Sequence, residues 1–342
     1  MKVDWNPPND WIRIKSIDAH AEGEPLRIII EGFPSLPGKS ILEKRKYIRD
    51  HFDQLRTALM WEPRGHADMY GCVITEPVKP DGTIGVIFLH NEGYSTMCGH
   101  GIIALTTVAI ETGIIAWDEA DEILKIDTPA GRVRAKAQMA GKRVEKVSFE
   151  NVPSFVYALD QCVSVPGFGD IRYDVAFGGA FYAFCQADEL GLNLIPEELS
   201  KLISAGRTIK DSVREHLPIH HPFEEELSFL YGTIFIGPAH SKGHHSRNVC
   251  VFAEGEVDRS PTGTGVSARA ALHFKRGELK EDEPFVVESL LGTSFTGRVV
   301  RTTTFGSYEA VIPEISGTAH ITGRNEFLID PADPLKHGFF LR

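Results

Sequence analysis

Two stretches of this chain are apolar around nearly a whole helical circumference, and each is entered through a turn of small residues. One is Ile102 to Ile110, preceded by Ser95-Thr96-Met97-Cys98-Gly99-His100-Gly101. The other is Val266 to Phe274, preceded by Asp258-Arg259-Ser260-Pro261-Thr262-Gly263-Thr264-Gly265. A helix without a polar face cannot lie on a surface, so other structure has to wrap around each of these. Both turns place a side chain and a row of unpaired backbone N–H groups at a helix N-terminus. In the first turn that side chain is a thiol, which can exchange a proton. In the second it is a hydroxyl, which at neutral pH cannot.

The remainder reads as strand-rich. Apolar runs bounded by Gly and Pro predict strands at Leu26–Ile30, Thr83–Leu89, Ile123–Ile126, Val144–Phe149, Tyr182–Cys185, Tyr231–Ile236, Asn248–Phe252, Phe285–Glu288 and Ala310–Ile315. Lys39–Leu59 predicts an amphipathic surface helix, and Pro196–Leu217 one or two more. Each buried helix ends near a glycine (Gly113, Gly277) and is followed by Gly-Arg-Val, at Gly131 and again at Gly297. Cys98 and Thr262 lie 262 − 98 = 164 positions apart, about one domain length. The pattern is that of an internal duplication. It divides the chain into a first α/β domain, residues 1–150 with 325–342, and a second, residues 151–324.

Bulk properties narrow the function. A net charge of −11 argues against nucleic acid or an anionic membrane surface as partner. No apolar run approaches the roughly 18 residues of a membrane span, and the N-terminal stretch lacks the pattern of a signal peptide. Five cysteines without close pairing suit reduced thiols in a cytoplasm. Neither CxxC nor HExxH occurs, so no metal is expected. His240, His244 and His245 read as a solvated loop, Arg64 and His66 as a structural turn, and Glu22 and Glu24 as structural. Cys72, Cys162, Cys185 and Cys250 read as core thiols.

A helix N-terminus stabilises a thiolate, which predicts a Cys98 pKa lowered from about 8.5 toward neutrality. Such a base suits removal of a carbon-bound α-proton. Two helix N-termini converging on one carboxylate would stabilise the developing charge through N–H groups near Gly99, His100, Gly263 and Thr264. Asp258 suits a substrate ammonium.

The two turns and their flanks resemble the proline racemase family, which includes hydroxyproline epimerases. Further segments carry the resemblance: Asp18-Ala19-His20-Ala21-Glu22-Gly23-Glu24-Pro25, Glu62-Pro63-Arg64-Gly65-His66-Ala67-Asp68-Met69, and Ile315-Ser316-Gly317-Thr318-Ala319-His320-Ile321-Thr322-Gly323. The resemblance implies an α/β fold of two pseudo-symmetric domains. Each is a curved mixed sheet or barrel around a central helix, as in diaminopimelate epimerase, with the active site in the cleft between them. Racemases of the family use two cysteines, one on each face of the α-carbon. Cys98 matches the first, and Thr262 stands at the position of the second. This Cys/Thr pairing resembles members that dehydrate trans-3-hydroxy-L-proline. In that substrate the 3-hydroxyl lies on the same ring face as the α-hydrogen, so one acid–base group suffices.

The resemblance thus implies a cofactor-independent hydro-lyase with Cys98 as base and Thr262 on the opposite face. Gly99, His100, Gly263 and Thr264 would bind the carboxylate, and Asp258 the ring nitrogen. The partner is a small imino acid, and a homodimer is allowed. Two alternatives stand beside it: a racemase or 4-hydroxyproline epimerase with an atypical second acid, and a catalytically silent imino-acid binder.

Overall fold

The computed structural model describes residues 5–116 and 123–341; Met1 to Asp4, within the stretch read as lacking a signal peptide, lie outside them. The chain runs through β1 (Ile12–Ala21), β2 (Glu24–Glu31), α1 (Ile41–Met60), β3 (Tyr70–Thr75), β4 (Ile84–His90), β5 (Gly93–Tyr94), α2 (Gly99–Glu111), β6 (Leu124–Thr128), β7 (Gly131–Ala140) and β8 (Arg143–Glu150). After β9 (Ser154–Val165) the order recurs as β10 (Gly169–Phe177), β11 (Phe181–Gln186), α3 (Leu199–His216), β12 (Leu230–Gly237), β13 (Ser246–Phe252) and β14 (Glu256–Asp258). It continues through α4 (Gly263–Lys275), β15 (Phe285–Glu288), β16 (Ser294–Phe305) and β17 (Tyr308–Gly317), and β18 (Ala319–Ile329) closes the series.

The strand pairings repeat with the order. In the first series β1–β2 is antiparallel, β2–β3 parallel across α1, β3–β4 antiparallel, β4–β6 parallel, and β6–β7–β8 antiparallel. In the second, β10–β11, β11–β12 across α3, β12–β13, β13–β15 and β15–β16–β17 repeat the same succession of directions. The halves also exchange strands. β18 returns to pair antiparallel with β1, β9 pairs with β10, and both β8 and β9 pair with β17. β18 is continuous from Ala319, so the division at residue 325 drawn from the sequence cuts a strand.

Helix α2 packs on β1, β2, β7, β8 and β18, and α4 on β9, β10, β16 and β17. Eleven of the 13 residues of α2 and 10 of the 13 of α4 are buried, which an all-round apolar helix requires. Both stop the same way. Gly113 (φ 71) and Gly277 (φ 72) turn the chain into the left-handed region, and their N–H groups bond back to Ile110 and Phe274. The spacing between these stops is again 277 − 113 = 164.

The surface helices are conventional by comparison. Ser40 caps α1 by accepting from the Glu43 N–H (3.1 Å), while the Glu43 carboxylate accepts from the Lys39 N–H (2.7 Å). α3 begins at Leu199, because Pro196–Glu198 forms a 3-10 turn ahead of it.

The N-termini of α2 and α4 meet through bare backbone. A Cβ on Gly99 would stand 2.5 Å from the Gly263 Cα, and one on Gly263 would stand 2.7 Å from the Gly99 Cα. Neither approach is physically possible for a real side chain, so both positions have to be glycine. Gly99→Ala should therefore lower the melting temperature by an amount equivalent to about 3 kcal/mol, the upper range for overpacking. Gly93→Ala, where an added Cβ meets nothing within 4 Å, should stay within about 0.5 kcal/mol of the parent in the same calorimetric comparison.

Candidate active site

Where the two helices meet there is a small cavity of about 20 Å³, and Cys98, Gly99, His100, Asp258, Thr262, Gly263 and Thr264 all line it. The sequence singled out these seven, and the fold brings all of them together. Met97, Tyr70, Tyr182, Tyr231, Cys250 and Phe252 complete the wall. A larger open groove of about 770 Å³ lies elsewhere, beside the C-terminal end of α4. Its one cation–anion pair, Lys275 with Glu309, is already joined.

Cys98 caps α2: its Sγ accepts from the Gly101 N–H at 3.2 Å and lies 3.2 Å from His100 Nδ1. A Cβ on Gly101 would come within 2.8 Å of that sulfur, so this glycine leaves the thiol its place. The first intrahelical bonds are Ile102 N–H to Cys98 O and Val266 N–H to Thr262 O. The N–H groups of Gly99, His100, Gly263 and Thr264 precede those bonds and sit at the cavity wall, the arrangement an anion needs.

The expected lowering of the Cys98 pKa is not what the site produces. Burial pushes the thiol well above its ordinary value, and the negative charges of Asp258 and Glu24 push further, against the helix-terminal N–H bond from Gly101. A dipole worth a fraction of a charge does not overcome complete desolvation beside two carboxylates. Asp258 is itself pushed up to about 6 by burial, although Ser260 and Arg259 favour its charged form. Burial also drives His100 down to about 3, helped by Arg259, so its imidazole is neutral.

Glu24, read as structural from the sequence, belongs to this cluster. It is fully buried, and burial followed by the charge of Asp258 raises its pKa well above the usual range. It accepts from the Arg259 backbone N–H at 2.7 Å, while the Arg259 guanidinium donates to the Asp68 carbonyl at 2.8 Å. Glu22 does hold structure, accepting from the N–H and hydroxyl of Thr318. One cysteine reading also changes. Cys162 is exposed on β9, and Cys250, a core thiol as read, also lines the cavity.

Thr262 occupies the opposite turn in a strained conformation, φ 66 and ψ 92, which a β-branched residue rarely adopts. Such a conformation costs about 1–3 kcal/mol and survives where its surroundings over-determine it. Here Ser260 Oγ accepts the Thr262 N–H (3.2 Å), and Asp258 Oδ1 accepts the Ser260 N–H (2.8 Å). Asn248 Nδ2 donates to the Pro261 carbonyl (3.1 Å), and the fully buried Arg269 donates to Asn248 Oδ1 (3.0 Å). The Thr262 hydroxyl is buried, makes no close hydrogen bond, and interacts with the Asp258 carboxylate and the Cys250 thiol.

The tyrosines were missed because each reads as an ordinary strand aromatic. Tyr70, Tyr182 and Tyr231 lie on β3, β11 and β12, and only the folded sheet points them at one cavity. Tyr70 donates to Ser95 Oγ at 2.5 Å, and Tyr182 pairs with Thr264 Oγ1 at 2.7 Å. Of the other candidates, Arg64 bonds the carbonyls of Leu328 and Lys336, and His244 pairs with the buried Glu288 at 2.9 Å. Among the described residues no group of three His, Cys, Asp or Glu is arranged to hold a metal. No described helix is long and apolar enough to cross a membrane.

The proline racemase family profile matches residues 16–340. The trans-3-hydroxy-L-proline dehydratase of Colwellia psychrerythraea is 49% identical over 341 residues, covering 99% of this chain and 96% of its own. The 3-hydroxyproline 2-epimerase of Burkholderia multivorans is 43% identical over 329 residues, 96% of this chain and 98% of its own. Among solved structures, a hydroxyproline epimerase from Agrobacterium vitis with bound trans-4-hydroxy-L-proline superposes with a TM-score of 0.90. It is 31% identical, over 96% of each chain.

The raised thiol has a direct readout. Alkylation with iodoacetamide at pH 7.5, followed by peptide mass spectrometry, should modify the exposed Cys162 first. Cys98 should lag by at least about tenfold, as expected of a buried thiol held in its neutral form.

Proposed function

The chain belongs to the proline racemase family, and from that premise we propose that it is a trans-3-hydroxy-L-proline dehydratase. Cys98 removes the α-proton and the 3-hydroxyl departs, giving Δ2-pyrroline-2-carboxylate, which tautomerises to the Δ1 imine. One observation carries the reading. One helix N-terminus at the cavity carries a thiol, Cys98, and the other a threonine hydroxyl, Thr262. A threonine there is too weak an acid to return a proton to the second face of the α-carbon, which epimerisation requires. Elimination from the first face has no such need, because the trans 3-hydroxyl and the α-hydrogen lie on the same side of the ring.

The proposed steps use groups already in place. The substrate carboxylate seats against the N–H groups of Gly99, His100, Gly263 and Thr264, which stabilise charge as the α-proton leaves. The ring ammonium binds Asp258. Its positive charge offsets the two carboxylates that hold the thiol protonated, so binding the substrate moves Cys98 toward the thiolate. Thr262 faces the ring side from which no proton is exchanged. The reading takes the site as the cleft between two units, with the second boundary moved to about 318 to keep β18 whole. It also includes a cytoplasmic location, supported by five unpaired cysteines, and allows a homodimer.

Purified protein incubated in D2O with trans-3-hydroxy-L-proline, trans-4-hydroxy-L-proline and L-proline, and followed by NMR, tests the proposal. The 3-hydroxy compound should be converted to a pyrroline carboxylate. Inversion with deuterium at the α-carbon, without dehydration, would establish an epimerase instead, and saturable binding without turnover a silent binder. Cys98→Ser should reduce turnover by about 10²–10⁴-fold, the usual worth of a positioned acid–base group. Thr262→Cys should gain epimerase activity.

The pH profile supplies an independent check. Below the Asp258 pKa of about 6 the carboxyl is protonated and no longer attracts an ammonium. The free-enzyme parameter kcat/KM should therefore fall about tenfold per pH unit on the acid side of that value. A profile flat from pH 7 down to 5 would remove Asp258 from the proposed role.

A further inference from the structure

The dehydratase reading leaves one proton without a donor, the one that must reach the departing 3-hydroxyl. Of the three phenols at the cavity, Tyr70 is committed to Ser95 and Tyr182 to Thr264. Tyr231 is buried and lines the cavity; its hydroxyl makes no close hydrogen bond and interacts with the Tyr70 phenol, whose own proton goes to Ser95. A buried donor without a close acceptor costs up to about 1–3 kcal/mol, so its place on a binding cavity points to a ligand atom as that acceptor.

The ring of Tyr231 is fixed in place. Phe252, Tyr182 and His90 pack around it with ring centroids 5.2, 5.9 and 6.0 Å away. His90 in turn stacks on Tyr70 at 5.6 Å, and Tyr70 meets His100 edge-on at 4.8 Å. His100 touches the Cys98 sulfur. The aromatic cluster thus links Tyr231 to the sulfur, and both line the one small cavity that would take the substrate. The phenol also feels the charge of Cys98, and burial holds it in its protonated, donating form.

We infer that Tyr231 is the catalytic acid that donates its O–H to the departing 3-hydroxyl of the substrate. The inference rests on the dehydratase reading. In the step, the Cys98 thiolate takes the α-proton as S–H, and the C–H electron pair becomes the new C2–C3 π bond. The C3–O bond breaks, and its pair leaves with oxygen, which takes the Tyr231 proton and departs as water. Transfer of the proton from the Cys98 thiol to the Tyr231 phenolate then restores both groups. No redox partner is involved.

Tyr231→Phe removes one oxygen and keeps the ring. The test compares it with the parent on trans-3-hydroxy-L-proline in D2O, following dehydration and α-deuteration of remaining substrate by NMR. Dehydration should slow by about 10²–10⁴-fold while α-exchange continues, so the ratio of exchange to dehydration rises. Dehydration within about threefold of the parent overturns the assignment, since loss of a general acid costs far more. Loss of exchange and dehydration in equal proportion also overturns it, because Tyr231 would then only shape the cavity. If the parent itself fails to dehydrate the compound, the dehydratase reading falls, and the role of Tyr231 with it.

Discussion

The contact between Gly99 and Gly263 is the constraint on which the rest of the molecule depends. With added Cβ atoms only 2.5 and 2.7 Å from the opposing Cα, two peptide backbones touch without side chains between them. Both residues open buried helices, so the contact brings two positive helix ends to one point. Holding like ends together in the interior is unfavourable until an anion lies between them. The duplicated sheets supply the packing that enforces this. They surround each helix, and the strand exchange through β9 and β18 prevents the halves from drifting apart.

Around that contact the protein tolerates several unfavourable arrangements at once. Asp258, Glu24 and the Cys98 thiol are buried together, and each has a pKa moved toward its uncharged form. Thr262 holds a backbone conformation suited to glycine, and buried oxygens on Thr262, Tyr231 and Glu24 make no close hydrogen bond. Each would be relieved by a compact zwitterion carrying one more hydroxyl. Its carboxylate would neutralise the helix ends, its ammonium the acidic pair, and its hydroxyl would engage the Tyr231 phenol. The turn that bears Thr262 is braced by Arg269 through Asn248, so the strain stays local.

Much of this was legible in the sequence, and the reason differs between parts. The helices α2 and α4 were readable because an apolar circumference has one structural meaning, and their glycine stops carry the same message. The short buried strands such as Phe285–Glu288 also emerged, since a run of apolar residues between turn signals survives inspection. Longer strands did not. In β7 and β16 exposed or half-exposed positions alternate with buried ones, so no apolar run marks them. The tyrosines were invisible because their shared direction arises from sheet curvature. The sign of the Cys98 shift was misread for a related reason. Sequence reveals the helix terminus beside the thiol, whereas burial and the nearness of Glu24 and Asp258 belong to the tertiary structure.

The pairing of Cys98 with Thr262 then acquires a physical meaning beyond the loss of a second thiol. Racemisation and dehydration share their first step, removal of the α-proton into a carboxylate-stabilised carbanion. The fate of that carbanion depends on which group can act before the first proton returns. A thiol on the far face would deliver a proton to carbon and complete an inversion. A threonine cannot, so the carbanion persists until the C3–O bond breaks or the original proton comes back. An acid at the hydroxyl tips that competition toward elimination, and its value grows as the far face becomes inert. On the proposed reading, a residue inert to proton exchange opposite the thiol and a phenol acid beside it are two halves of one requirement.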